Sequence, residues 1–135
     1  MVMPDTNTVI YFFKGLGGVP DRWLDTPPSE LSIPSVVLYE IEVGIAKSSR
    51  PKQLRDQLDH LVRHCNVEAF DRNAARAAAR IRAALEEKGQ PIGPMDTLIA
   101  GTAVSRGATL ITRNVDEFSR VPGLTTDNWY DEGTE

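Results

Sequence analysis

Side chains that bind soft metals or act as nucleophiles are scarce in this chain. One cysteine and two histidines occur in 135 residues. A single cysteine, Cys65, excludes an intramolecular disulfide framework, and with only His60 and His64 beside it there is no zinc-binding spacing. The two histidines stand at i, i+4 and read as a solvated pair. No G-x-S-x-G elbow is present, and no histidine lies near a sheet edge in sequence, so serine nucleophile chemistry has no support. The glycines of "GLGG" lack the spacing of a phosphate loop or a dinucleotide fingerprint. Long apolar runs are missing too. The most apolar stretch, "SIPSVVLYEIEVGIA", carries Glu40 and Glu42 and is too short and too charged to span a bilayer. No basic segment followed by an apolar one opens the chain, so cytoplasmic residence without a membrane partner is the expectation. Basic charge is also in deficit: 15 Lys and Arg stand against 19 Asp and Glu, for a net charge of −4. That excludes a protein living by non-specific phosphate binding. It does not exclude nucleic-acid chemistry, because a site built of carboxylates is acidic until cations fill it.

What is present is an ordinary globular composition, 41% hydrophobic and 25% charged. The length predicts one domain over residues 1–135, the last few (about 131–135) a loose tail. "MVMP" reads as a short strand that gives way at Asp5-Thr6-Asn7, a turn- and cap-forming triplet. "GLGGVPD" reads as a loop, "ELSIP" as a second strand, and Ser35 as the cap of a helix to about Lys47. "RPKQLRDQLDHLVRH" is an amphipathic helix and "NVEAF" a third strand. Asp71 caps a long Ala- and Arg-rich helix ending near Gly89. A further helix runs from Pro94 to about Arg106, with Gly107 as its stop. "ATLIT" is a fourth strand, "NVDEF" a helical turn and "LTT" a last edge strand. Strands alternating with helices predict an α/β domain, a central mostly parallel sheet of four or five strands between helices. Such sheets gather their chemistry at the carboxyl ends of their strands.

Acids fall at those ends. Asp5 follows the first strand, Asn114-x-Asp116 follows "ATLIT", and Asp96 opens the helix that starts at Pro94. Each has a structural reading of its own. Asp5 is a natural N-cap, and Asp96 at the third helical position gains roughly 0.3–1 kcal/mol against the helix dipole. Asp116 and Glu117 lie in a turn, where acids are common. In the helix after the second strand Glu40 and Glu42 point about 160° apart, and periodicity does not choose between them. Taken together these acids say more. Asp5, Asp96 and Asn114-x-Asp116 can converge on one sheet edge, and Glu40 can reach it from the helix after the second strand. Carboxylates so placed raise one another's pKa unless a cation neutralises them, and oxygen-only ligands select Mg2+ or Mn2+. Arg72, Arg76 and Arg80 form an i, i+4 stripe that could track a phosphate backbone; a solvated helix face is the simpler reading. Aspartyl phosphotransfer on Asp5 would call for an acid two residues on, where this chain has Asn7.

The stretches "PDTNTVIYFFKG", "SVVLYEIEVGIAKS", "GQPIGPMDTLIAGTAVSRGATLITRNVDEF" and "RVPGL…DNW" resemble the PIN-domain ribonucleases, specifically VapC-type toxins of bacterial toxin–antitoxin pairs. The resemblance runs from Met1 to Trp129 and implies a PIN-like α/β/α sandwich. It implies a metal-dependent endoribonuclease whose acids are Asp5, Glu40 (from the family's "AEL" motif, here "YEI"), Asp96 and a fourth. Many relatives carry Asp where this chain has Asn114, so Asp116 is the expected substitute and Glu117 the weaker one. Asn7, Thr112 and Asn114 are implied as groups that orient the acids, and Mg2+ as the cofactor, with Mn2+ also supporting activity. The implied partners are an RNA substrate, a cognate antitoxin covering the site and a second copy of the chain. The alternative on the same fold is an interaction module that has lost catalysis. Pro4 departs from the pattern, since the family has an apolar strand residue there.

Overall fold

Among the described residues, five strands of three residues each alternate with helices. A computed structural model describes residues 1–131. Strand β1 (Val2–Pro4) leads into helix α1 (Thr6–Lys14), and after a short loop α2 (Val19–Leu24) follows. Strand β2 (Ser32–Pro34) runs directly into α3 (Ser35–Lys47), which is followed by α4 (Pro51–His64) and β3 (Asn66–Glu68). Then come α5 (Arg72–Glu87), α6 (Pro94–Arg106), β4 (Thr109–Ile111), the one-turn α7 (Val115–Phe118) and β5 (Thr125–Asp127). Of the tail expected at 131–135 only its first residue, Asp131, is among the described residues; 132–135 lie outside them.

Every strand pairing is parallel, as the alternation predicts. The sheet, however, is not one ladder of four or five strands. Three strands pair in the order β1-β4-β5, two more as β2-β3, and a single bridge, Val2 to Leu31, joins the two sets. Two prolines account for the split. Successive residues of a strand turn their N–H and C=O to opposite sides. Asp5 N–H donates to the Ile111 carbonyl, so odd residues of β1 face β4 and Pro4 faces β2. Asn66 N–H donates to the Leu31 carbonyl, so Pro34 faces β1 in turn. Both residues that would extend the ladder past Val2–Leu31 therefore lack the N–H it requires.

Two local expectations also change. The loop at residues 15–21 ends early, because α2 begins at Val19 with Pro20 in its first turn, and its Trp23 is buried. Ser35 is the first residue of α3 rather than its cap; its hydroxyl accepts from Phe70 N–H at 3.0 Å and ties that helix to the chain after β3. Asp71 does cap α5, accepting from Ala74 N–H at 2.9 Å, and Gly107 closes α6 in the left-handed region at φ 63°. The apolar faces meet in one core that includes Met3, Val9, Ile33, Ile41, Ile99 and Leu110. α6 lies against β2 and β4, and α5 packs along it through Ala74, Ala78, Ile81 and Leu85. Among the described residues no helix is long and apolar enough to cross a membrane.

Candidate active site

β1 and β4 end side by side, and the first turn of α1 is sewn across both. Asp5, 6% exposed, accepts from Thr8 N–H at 2.9 Å and so caps α1 from the end of β1. The Thr8 hydroxyl donates to the Ile111 carbonyl at 3.0 Å, and the same carbonyl accepts from Asp5 N–H at 2.9 Å. The fully buried Thr112 hydroxyl also hydrogen-bonds Asp5 and accepts from Asn114 N–H at 3.0 Å. Two threonines, Thr8 and Thr112, thus hold the Asp5 carboxylate. Burial nonetheless raises its pKa; the threonine hydrogen bonds oppose that, and the charge of Glu40 adds to it.

Glu40 comes from the middle of α3, and its Oε1 accepts from the Thr6 hydroxyl at 2.5 Å. Glu42 points elsewhere and pairs with Arg55 of α4 at the surface. The choice that periodicity left open is thereby resolved in space. Asp96 enters from the first turn of α6 and is half-buried. Its carboxyl is pushed up to about 6, by burial first and then by the charges of Glu117, Asp5 and Glu40. These four carboxylates share one edge of the sheet. Among the described residues none of them is in an ion pair with a basic side chain.

Of the two acids on α7, Glu117 is the one whose charge acts on Asp96. Asp116 is exposed, and its charge is absent from those acting on Asp96. Asn114 donates its side-chain amide to Glu117 and so orients it, while Asn114 itself precedes α7. Asn7 is exposed and lines an open recess of about 300 Å³ together with Asp5, Tyr11, Arg113 and Asn114. Arg72, Arg76 and Arg80 lie on the exposed face of α5, outside this set, and exert no charge effect on Asp5 or Asp96. His60 and His64 stack on each other on α4, with ring centroids 4.4 Å apart.

Thr6 and Thr8 were not singled out by sequence. A signal existed for Thr8, which stands three residues after a capping Asp, where a threonine can serve both helix and strand. For Thr6 there was none, since its partner lies 34 residues away.

The donor set is oxygen only and negatively charged, which suits a hard divalent cation. Among the described residues no three His, Cys, Asp or Glu side chains are drawn together closely enough to hold a metal ion by themselves. Mg2+ does not require one: it keeps several waters and is held by one or two carboxylates together with substrate phosphates. The residues therefore fit such an ion, with Asp5 and Asp96 the most enclosed carboxylates and Glu40 and Glu117 flanking them.

Comparison with known proteins bears on the same residues. A family model described as the PIN domain matches residues 2–124. The chain is 35% identical over 127 residues to the tRNA(fMet)-specific endonuclease VapC of Salmonella typhimurium, covering 94% of this chain and 96% of that one. It is 33% identical over 132 residues to ribonuclease VapC2 of Rickettsia felis, at the same coverage. Its fold superposes with a TM-score of 0.88 on a chain of VapBC2 from Rickettsia felis bound to a DNA fragment from their promoter, at 32% identity and covering 96% and 99% of the two chains.

Proposed function

The chain belongs to the PIN-domain family, and on that premise we propose that it is a metal-dependent endoribonuclease acting as the toxin of a toxin–antitoxin pair. It is a nuclease of the VapC group. The observation that supports the metal-dependent reading is the cluster of Asp5, Glu40, Asp96 and Glu117, each without a basic counter-charge, at the end of β1 and β4. Four carboxylates with no cation are a costly arrangement at neutral pH. They make sense where Mg2+ or Mn2+ supplies the missing charge.

Asp5 and Asp96 would hold the ion, with Glu40 and Glu117 completing the negative field and holding its waters. When bound, the metal supplies Lewis-acid polarisation of the scissile phosphate and a water activated for attack. Thr112 and Thr8 fix the direction of Asp5, Thr6 that of Glu40 and Asn114 that of Glu117, so the carboxylates meet the ion already oriented. Fixed ligands spare reorganisation at the moment of reaction. Single-stranded RNA, tRNA loops included, suits an open edge better than a duplex does, because its backbone can be splayed over the site. A cognate antitoxin would cover this edge, a second copy of the chain would complete a homodimer, and the cytoplasm would be its place of work.

The test is cleavage of bulk tRNA by the purified protein, with fragment ends mapped. Defined fragments are expected with Mg2+ or Mn2+ and none with chelator or with Asp96→Asn. Undiminished cleavage by both Asp5→Asn and Asp96→Asn overturns the reading. Tight metal binding with no cleavage of any RNA would instead favour an interaction module.

A further inference from the structure

Beside the acids, the recess next to Asp5 has a wall of opposite charge. Arg113 follows Thr112 directly and lines the recess with Asp5, Asn7, Tyr11 and Asn114. Its guanidinium carbon lies 3.6 Å from the centre of the Tyr130 ring, and its Nε donates to Asp131 at 3.4 Å. Tyr11 meets Tyr130 edge to face, with ring centroids 4.7 Å apart. This aromatic platform is built rather than incidental. A Cβ on Gly17, where φ is +63°, would stand 2.8 Å from the Tyr130 ring, and Gly18 N–H donates to the Tyr130 carbonyl at 2.9 Å. Asn128 Oδ1 accepts from the N–H groups of Tyr130 and Asp131, which fixes the segment from the other end. The glycines of "GLGG", which matched no phosphate-loop spacing, thus seat an aromatic ring under an arginine.

We propose that Arg113 is a substrate-binding residue that grips an RNA phosphate flanking the scissile one, from the recess it shares with Asp5. The proposal rests on the endoribonuclease reading of the site. An edge lined by four carboxylates repels a polyanion along its whole length, and a metal ion offsets that only where it sits. Arg113 places a second positive charge one recess away. The face of its guanidinium is occupied by Tyr130 and part of its N–H edge by Tyr11 and Asp131. The rest of that edge is what meets a ligand, and a guanidinium edge matches phosphate oxygens bidentately. The exposed Asp131 contact, long and solvated, is one that phosphate can replace. Stacking on Tyr130 limits the rotamers of a side chain that otherwise loses much entropy on binding.

The experiment measures binding of bulk tRNA to the full chain in an Asp96→Asn background, where cleavage is blocked, across a range of salt. Arg113→Gln and Arg113→Lys are compared, and kcat and KM are measured for each change in the otherwise wild-type enzyme. Arg113→Gln is expected to weaken binding about tenfold. It should also flatten the slope of log affinity against log salt by about 0.7–1, the signature of one lost phosphate contact. KM should rise with kcat nearly unchanged, and Arg113→Lys should recover most of the slope. Binding and slope equal to the parent in Arg113→Gln overturn the proposal. So does an equal loss in both variants with the slope unchanged, which would assign Arg113 to holding the Tyr130 segment. Absence of RNA binding or cleavage by the unmodified protein would instead strike at the endoribonuclease reading itself.

Discussion

The Thr6 hydroxyl donates to Glu40 Oε1 at 2.5 Å, so the residue next to Asp5 fixes a carboxylate on a different helix. One end of a single turn therefore orients two acids: Asp5 through the N–H of Thr8, and Glu40 through Thr6. Removing the hydroxyl with its shape kept, in Thr6→Val, leaves Glu40 free to rotate toward solvent. Partners that orient metal-binding carboxylates typically account for about 10- to 100-fold in metal affinity or activity. Thr6→Val should lower RNA cleavage by that order at limiting Mg2+, with recovery at high Mg2+. A metal titration of the cleavage rate checks it, and an unchanged titration curve contradicts it.

Glu40 and Glu42 give a paired control. Glu42→Gln breaks a surface pair with Arg55 and should leave the cleavage rate within error of the parent. Glu40→Gln should reduce the rate strongly, in a variant that folds normally. Initial rates on the same RNA, with circular dichroism of each protein, decide it. Equal effects of the two substitutions would remove Glu40 from the site.

Asp96 sets a pH dependence whose sign is unusual for a carboxylate. Its ordinary value is 3.8, and in the fold it is pushed up to about 6, chiefly by burial and by Glu117. Between those values the folded protein holds more protons here than the unfolded chain does, so stability falls as pH rises. The metal-free protein is thus most stable, as far as this group is concerned, below its unfolded value, and bears the full penalty above about pH 6. Asp96→Asn removes the penalty. Urea midpoints of the metal-free proteins should show the variant more stable than the parent at about pH 7.5, with the gap closing toward about pH 4. A gap that widens on acidification contradicts this.

The scaffold behind the site can be tested apart from its chemistry. A Cβ on Gly101 of α6 would lie 2.6 Å from Ala78 Cβ and 2.7 Å from the Cα and N of Ala78 on α5. Backbone atoms cannot step aside as a flexible side chain can. Gly101→Ala should cost about 1–3 kcal/mol through overpacking, despite the better helix propensity of alanine. Because Ala78 N and Cα remain in place, Ala78→Gly should restore only part of the loss. Denaturant midpoints of the two single variants and the double variant check this.

Much of this arrangement was legible in the residues, for identifiable reasons. The Gly93-Pro94 entry and the Gly107 stop bound α6 correctly, because those residues act through their own backbone. Asp71 as a cap was legible on the same grounds. Asp5 and Asp96 could be placed on one edge by topology alone. What escaped was set by register and phase. Pro4 stood out in sequence, but the side its missing N–H faces, and that Pro34 mirrors it across β1 and β2, depends on strand pairing. Asp116 and Glu117 are adjacent on a helix of four residues. Such a helix is too short to show an amphipathic face, and only its packing points Glu117 inward. Arg113 carries no signal of its own in the sequence, because its setting comes from Tyr130, 17 residues further along the chain.

The central claim is that Asp5, Glu40, Asp96 and Glu117 form a divalent-metal site. It is tested most directly by Mn2+ titration of the purified protein, read from the loss of the free-ion electron paramagnetic resonance signal. The account predicts saturable binding near neutral pH, weakening as pH falls through about 6, where Asp96 protonates. It predicts that binding is lost in the Asp5→Asn, Asp96→Asn double variant. Mn2+ binding as tight in that variant as in the parent would contradict it, as would no saturable binding by the parent.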